Sequence, residues 1–105
     1  MKIKLIPEQE VTLVDQDGKE YSFLVKGLTR RQWNEYQDKV SQLLDKEDIT
    51  EEELDATLGK YLLGMAIEDE KALKMILDGS ISAYKQIVEL IKDLSILGEE
   101  FQKKF

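Results

Sequence analysis

The stretch Gly27-Leu28-Thr29-Arg30-Arg31-Gln32-Trp33 divides the chain into two regimes. Before it, apolar and polar residues alternate as they do in strands; after it, apolar residues recur at helical spacing. Thr29 is suited to cap a helix, because its hydroxyl can accept from an otherwise orphaned N–H in the first turn. Gln32, three residues on, can reach back to the Thr29 N–H and complete a capping box. Leu28 just before the cap and Trp33 at the fourth helical position have the spacing of a hydrophobic staple. A strand must therefore end, and a helix begin, within these seven residues.

Upstream, Glu10 to Lys26 predicts a hairpin around Gln16-Asp17-Gly18, with Gly18 in the left-handed region of a type I turn plus bulge. In that register Asp15 faces Lys19, Leu13 faces Tyr21 and Val11 faces Phe23. Val11, Leu13, Tyr21, Phe23 and Val25 then share an apolar face, opposite the mostly polar Glu10, Thr12, Val14, Glu20, Ser22 and Leu24. A two-residue loop at Asp17-Gly18 would pair Asp15 with Glu20 and mix the faces. A lone hairpin is marginal in water, so the apolar face must rest on helices. Lys2 to Ile6 also alternates, and Pro7 after it restricts it to an edge strand or an extended arm.

Downstream, the first helix is expected over Arg30–Leu44, with Trp33, Tyr36, Val40, Leu43 and Leu44 as its stripe. Ile49-Thr50-Glu51-Glu52-Glu53-Leu54 repeats the cap, box and staple, and its three glutamates suit the positive end of the helix dipole. Leu54, Leu58, Tyr61, Leu62 and Met65 follow as a stripe. Asp69 can cap a separate short helix bearing Leu73, Ile76 and Leu77; one helix running on from Glu51 would be long for so small a domain, so a break or kink is expected. After the turn signal Asp78-Gly79-Ser80 a last helix is expected, lined by Ile81, Tyr84, Ile87, Val88, Ile91, Leu94 and Ser95, with Gly98 as its stop. The fold class is α+β, mostly helical: an N-terminal β-hairpin, with a short extra strand left open, packed on three to four helices. A length of 105 residues predicts one domain. Its arm and hairpin span 1–27; its helical body and short C-terminal tail span 28–105.

Composition narrows the chemistry. The chain has no cysteine and no histidine. Disulfides, thiolate metal sites and Ser-His-Asp or Cys-His catalysis cannot be built within it, and a zinc role is disfavoured. The net charge of -7 repels phosphate backbones and anionic bilayers, so neither nucleic acid nor membrane is an expected partner. No apolar run reaches the roughly 20 residues that span a bilayer, and the apolar part of the N-terminus is short for a signal peptide. Cytoplasmic residence is the expectation.

The acidic clusters are weak as sites. Asp15-Gln16-Asp17-Gly18 resembles a calcium loop but lacks the alternating oxygen ligands ahead of the glycine; position 13 is Leu. Asp45 to Glu53 lacks the central glycine and reads as a solvated helix boundary. No Gly-rich phosphate loop occurs. No catalytic, cofactor-binding or metal-binding residues are therefore assigned. For partner binding, Arg30 and Arg31 stand out because two cations in a first turn oppose the helix dipole. Leu94, Ile96, Leu97, Phe101 and Phe105 make the C-terminal end more apolar than a free terminus requires; packing on the hairpin and docking a partner are both open for them.

The order of parts resembles a known family. A short arm, the hairpin Val11-Thr-Leu-Val-Asp-Gln-Asp-Gly-Lys-Glu-Tyr-Ser-Phe23 and a Leu28-Thr29-Arg30 start to an acidic helical domain look like the small tail assembly chaperones of long-tailed bacteriophages and prophages. The resemblance implies a non-enzymatic factor that binds the tape measure protein, helps to recruit tail tube subunits and is absent from the mature virion. The alternative is an acidic regulatory or inhibitor module, antitoxin- or anti-repressor-like, that binds a basic protein partner. A third is an enzyme subunit completed by a second chain. Exposed hairpin edges also make self-association an expectation.

Overall fold

The computed structural model describes residue 1 and residues 5–103, and of residues 96–103 the backbone alone. The chain forms two strands, β1 (Glu8–Val14) and β2 (Glu20–Lys26), then four helices, α1 (Arg30–Leu44), α2 (Glu51–Ala66), α3 (Glu70–Asp78) and α4 (Ile81–Lys103). The fold is α+β and mostly helical, as the patterning predicts.

The hairpin adopts the register with the three-residue loop: Val11 pairs with Phe23, Leu13 with Tyr21 and Val14 with Glu20. The Asp15 N–H donates to the Lys19 carbonyl at 3.0 Å. Gly18 lies at φ 79, a left-handed conformation that side chains with a Cβ rarely adopt. The Asp15 carboxylate fastens the turn by accepting from the N–H groups of Asp17 and Lys19, each at 2.9 Å. β1 begins earlier than alternation alone predicts, at Glu8, and the Gly27 N–H donates to the Pro7 carbonyl just beyond the ladder at 2.7 Å. Leu5 and Ile6 lie in a bend rather than a strand, while residues 2–4 of the expected extra strand lie outside the described residues.

The joint forms as its residues require. The Gln32 N–H donates to the Thr29 hydroxyl at 3.2 Å, and the Thr29 N–H donates to Gln32 Oε1 at 3.0 Å. At α2 only half of the box is made, the Glu53 N–H donating to Thr50 Oγ1 at 3.1 Å. The break after α2 is real: Asp69 caps α3, accepting from the Ala72 N–H at 3.0 Å.

One cluster of buried side chains joins both regimes. Phe23 and Val25 reach it from the hairpin, Tyr36 from α1, Leu62, Leu63 and Ala66 from α2, Ile76 from α3, and Ile87 and Ile91 from α4. Val25 is fully buried, while Val11, Leu13 and Tyr21 on the same face are half-buried against the cluster. Ser95 ties α4 to the joint, donating to the Ile91 carbonyl at 2.7 Å and accepting from the Leu28 N–H at 2.8 Å. Gly27 passes so close to α4 that a Cβ there would stand 3.0 Å from the Leu94 carbonyl oxygen.

Three apolar residues expected on stripes face outward instead: Leu44 is 63% exposed, Leu77 46% and Ile81 75%. Leu44 and Leu77 each follow a buried stripe residue, Leu43 and Ile76, and one helical step turns a side chain by about 100°. Ile81 begins its helix, ahead of the turns that reach the core. Gly98 does not end α4, which runs on to Lys103; a single helical glycine costs only about 1 kcal/mol, and good helix formers follow it.

Two glycines of α2 have opposite surroundings. A Cβ at Gly59 would fall within the van der Waals radius of the Tyr84 hydroxyl on α4, whereas nothing approaches one at Gly64. Gly59→Ala is expected to lower stability by about 1–3 kcal/mol through overpacking. Gly64→Ala is expected to raise it by about 0.5–1 kcal/mol through helix propensity. Thermal denaturation of the two variants should move the midpoint in opposite directions.

Candidate functional site

The two long edges of the hairpin meet different surroundings. On the β2 side, the Tyr21 hydroxyl donates to Asp69 Oδ2 at 2.7 Å, and Lys71 Nζ stands 4.7 Å from the centre of the Tyr21 ring. Lys26 Nζ pairs with Glu68 at 3.1 Å, though Glu68 is 82% exposed and such a pair contributes little. The segment that caps α3 therefore latches this side of the hairpin.

Among the described residues, the β1 side is open. In an antiparallel pair, alternate residues bond across the ladder and the others point their N–H and C=O outward. The bonds from Asp15 N–H to Lys19 and from Gly27 N–H to Pro7 put the odd-numbered residues of β1 on the ladder side. Glu10, Thr12 and Val14 therefore present their backbone groups to the outside, and among the described residues no backbone group takes them. Beside this edge runs a groove of about 420 Å³ between β1 and the first half of α4. Val11, Leu13, Ile87 and Leu90 supply its apolar lining, and the small residues Ser82 and Ala83 leave room above it. No residue of β2 lines it, so it opens at the free edge. Period-two alternation placed Val11 and Leu13 on one face, but nothing local in the sequence set α4 beside β1.

A second groove of about 340 Å³ lies between α2 and α4, bounded by Tyr36, Asp55, Leu58, Tyr84, Val88 and Lys92 among others. Burial, and secondarily the Asp55 charge, raises the pKa of both Tyr36 and Tyr84. The Tyr84 hydroxyl is buried over Gly59 without a hydrogen-bond partner among the described residues. Trp33 and Tyr36 pack as a tilted pair with ring centroids 5.5 Å apart and join the core, as aromatics at helical spacing generally do.

Of the residues singled out from sequence, three have described side chains. Arg30 and Arg31 are both exposed in the first turn of α1. Leu94 is half-buried against the core, where its backbone receives Gly27, which gives it a packing role. Ile96, Leu97 and Phe101 lie on the stretch of α4 whose side chains are outside the described residues, and Phe105 is outside them altogether. Among the described residues there is no group of three carboxylates placed to hold a metal ion, and no helix is long and apolar enough to cross a membrane.

No family model matches the chain, and no curated protein or solved structure is found to be similar to it.

The Tyr21–Asp69 latch has a pH signature. Accepting from the Tyr21 hydroxyl, and next from the Ala72 N–H, lowers the Asp69 pKa. A carboxyl depressed in the folded state contributes stability above its unfolded pKa of about 3.9, and loses it as pH falls through the folded value. The hydrogen bond to Asp69 raises the Tyr21 pKa, with burial and the Asp69 charge adding to it. That contribution is present below the unfolded pKa of about 10 and is lost as pH rises through the folded value. Tyr21→Phe is expected to weaken the stability dependence on both the acid and the alkaline flank. Denaturant unfolding across pH checks this; a profile unchanged on both flanks rules out the latch.

Proposed function

We propose that this chain is a non-enzymatic assembly chaperone of the long-tailed-phage kind, which holds the tape measure protein and helps bring tail tube subunits to it in the host cytoplasm. The observation that carries the reading is the open edge of β1 beside an apolar groove, a surface shaped to take another chain. The resemblance in the Asp-Gly-Lys-Glu-Tyr turn and the Leu-Thr-Arg helix start supports it, as does an acidic net charge suited to keeping an aggregation-prone partner dissolved. In this role the helical body supplies solubility and the hairpin supplies contact; no bond is made or broken.

The exposed carboxylates running from Asp45 through Glu53 favour a second reading, an acidic inhibitor that covers a basic protein. The two differ in salt dependence. A contact between surface charges weakens steeply as ionic strength rises, whereas one built on apolar burial and backbone bonds does not.

The decisive experiment is co-expression with the tape measure protein from the same genome. The chaperone reading expects the partner to shift into the soluble fraction and to co-purify with this chain at about 0.5 M salt, where the Debye length is roughly 4 Å. An insoluble partner with no recovered complex refutes it. A complex that forms only at low salt points to the inhibitor reading.

A further inference from the structure

We infer that the open edge of β1 is a docking site for one extended segment of a partner protein, in which apolar residues alternate with basic ones. The segment adds to the hairpin as a third strand. The inference rests on the reading of the chain as a partner-binding protein and names the kind of segment it holds.

Three observations converge on this occupant. The outward N–H and C=O groups of Glu10, Thr12 and Val14 are spaced as a ladder that an extended backbone can pair with in full. Strand pleating then sends alternate side chains of the added segment to opposite faces. Those on the inner face enter the groove between β1 and α4, whose floor of Val11, Leu13, Ile87 and Leu90 calls for branched aliphatic residues. Those on the outer face stand beside Glu10, on a chain of net charge -7, and cross-strand pairing favours opposite charge there. The exposure of Val14, 64% in spite of its size, is explained by a neighbour strand laid along it.

The β2 edge turns the same kind of backbone groups outward, at Glu20, Ser22, Leu24 and Lys26, but it does not border this groove. The Tyr21–Asp69 hydrogen bond and the Lys26–Glu68 pair instead tie side chains of β2 to the segment that caps α3, and no residue of β2 lines the groove beside β1.

The test titrates the full chain, labelled for backbone NMR, with a synthetic hexapeptide alternating lysine with valine or isoleucine. A control peptide has the same composition with its lysines grouped. The alternating peptide is expected to slow amide exchange at Glu10, Thr12 and Val14 by about tenfold when its concentration is ten times Kd, and to shift Ile87 and Leu90. Thr12→Pro removes one outward N–H while leaving the ladder to β2 intact, and is expected to weaken binding about fivefold to tenfold. Glu10→Lys leaves the backbone untouched and serves where the proline variant does not fold; it too is expected to weaken binding. The inference is overturned if the grouped peptide binds as well, if the three amides are not slowed, or if neither variant weakens binding. It is also overturned if the amides of the free chain are already protected increasingly with protein concentration, because a second copy then holds the edge. A tape measure complex that forms although the peptide leaves β1 untouched sinks this inference and spares the chaperone reading. A peptide seated on β1 with no tape measure complex does the reverse.

Discussion

Two strands joined by a tight turn do not hold together in water; one of their faces must be covered. That requirement organises this chain. Phe23 and Val25 are buried because α2 and α4 close over them, and Val11, Leu13 and Tyr21 border the same cluster. The short joint leaves little freedom in how the covering is done. Gly27 presses against the backbone of α4 at Leu94, Ser95 accepts from the Leu28 N–H, and Thr29 starts α1 at once. A longer link, or a side chain at Gly27, would let the hairpin stand off from the helices and expose the face that needs cover.

Local chemistry is read easily from such a sequence; contacts between distant elements are not. The hairpin register follows from the pleat and from Gly18, since only one register collects Val11, Leu13, Tyr21, Phe23 and Val25 on one face. The caps at Thr29, Thr50 and Asp69 follow from hydroxyl and carboxylate groups at helix starts. Leu44, Leu77 and Ile81 misled because apolar character records a residue's preference, whereas its angular position decides what it faces. The ambiguity around Asp69 resolved through a contact 48 residues away: its carboxylate both caps α3 and accepts from Tyr21. No pattern local to either residue announces that bond. The groove beside β1 was hidden for the same reason, being made by α4 coming to lie along a strand more than sixty residues earlier.

The asymmetry of the hairpin gives these contacts a functional meaning. Two side chains of β2 are tied to the segment that caps α3, and among the described residues the edge of β1 lies next to an apolar floor. An edge strand is ordinarily a hazard, because it pairs with whatever extended chain it meets. Under the proposed role, the acidic residue on the edge and the acidic chain behind it disfavour a second copy and favour a basic segment. The helices would then serve the strand, burying its inner face firmly enough for its outer edge to remain flat and ready.

The central claim is that the hairpin owes its order to the helical body and shares its stability. Native-state hydrogen exchange measures this directly. The ladder amides of Val11, Leu13, Tyr21 and Phe23 are predicted to open with the same free energy, and the same denaturant dependence, as those of Leu62 on α2 and Ile91 on α4. Ladder amides that exchange through a separate opening, several kcal/mol less costly than that of the helices, would contradict the claim.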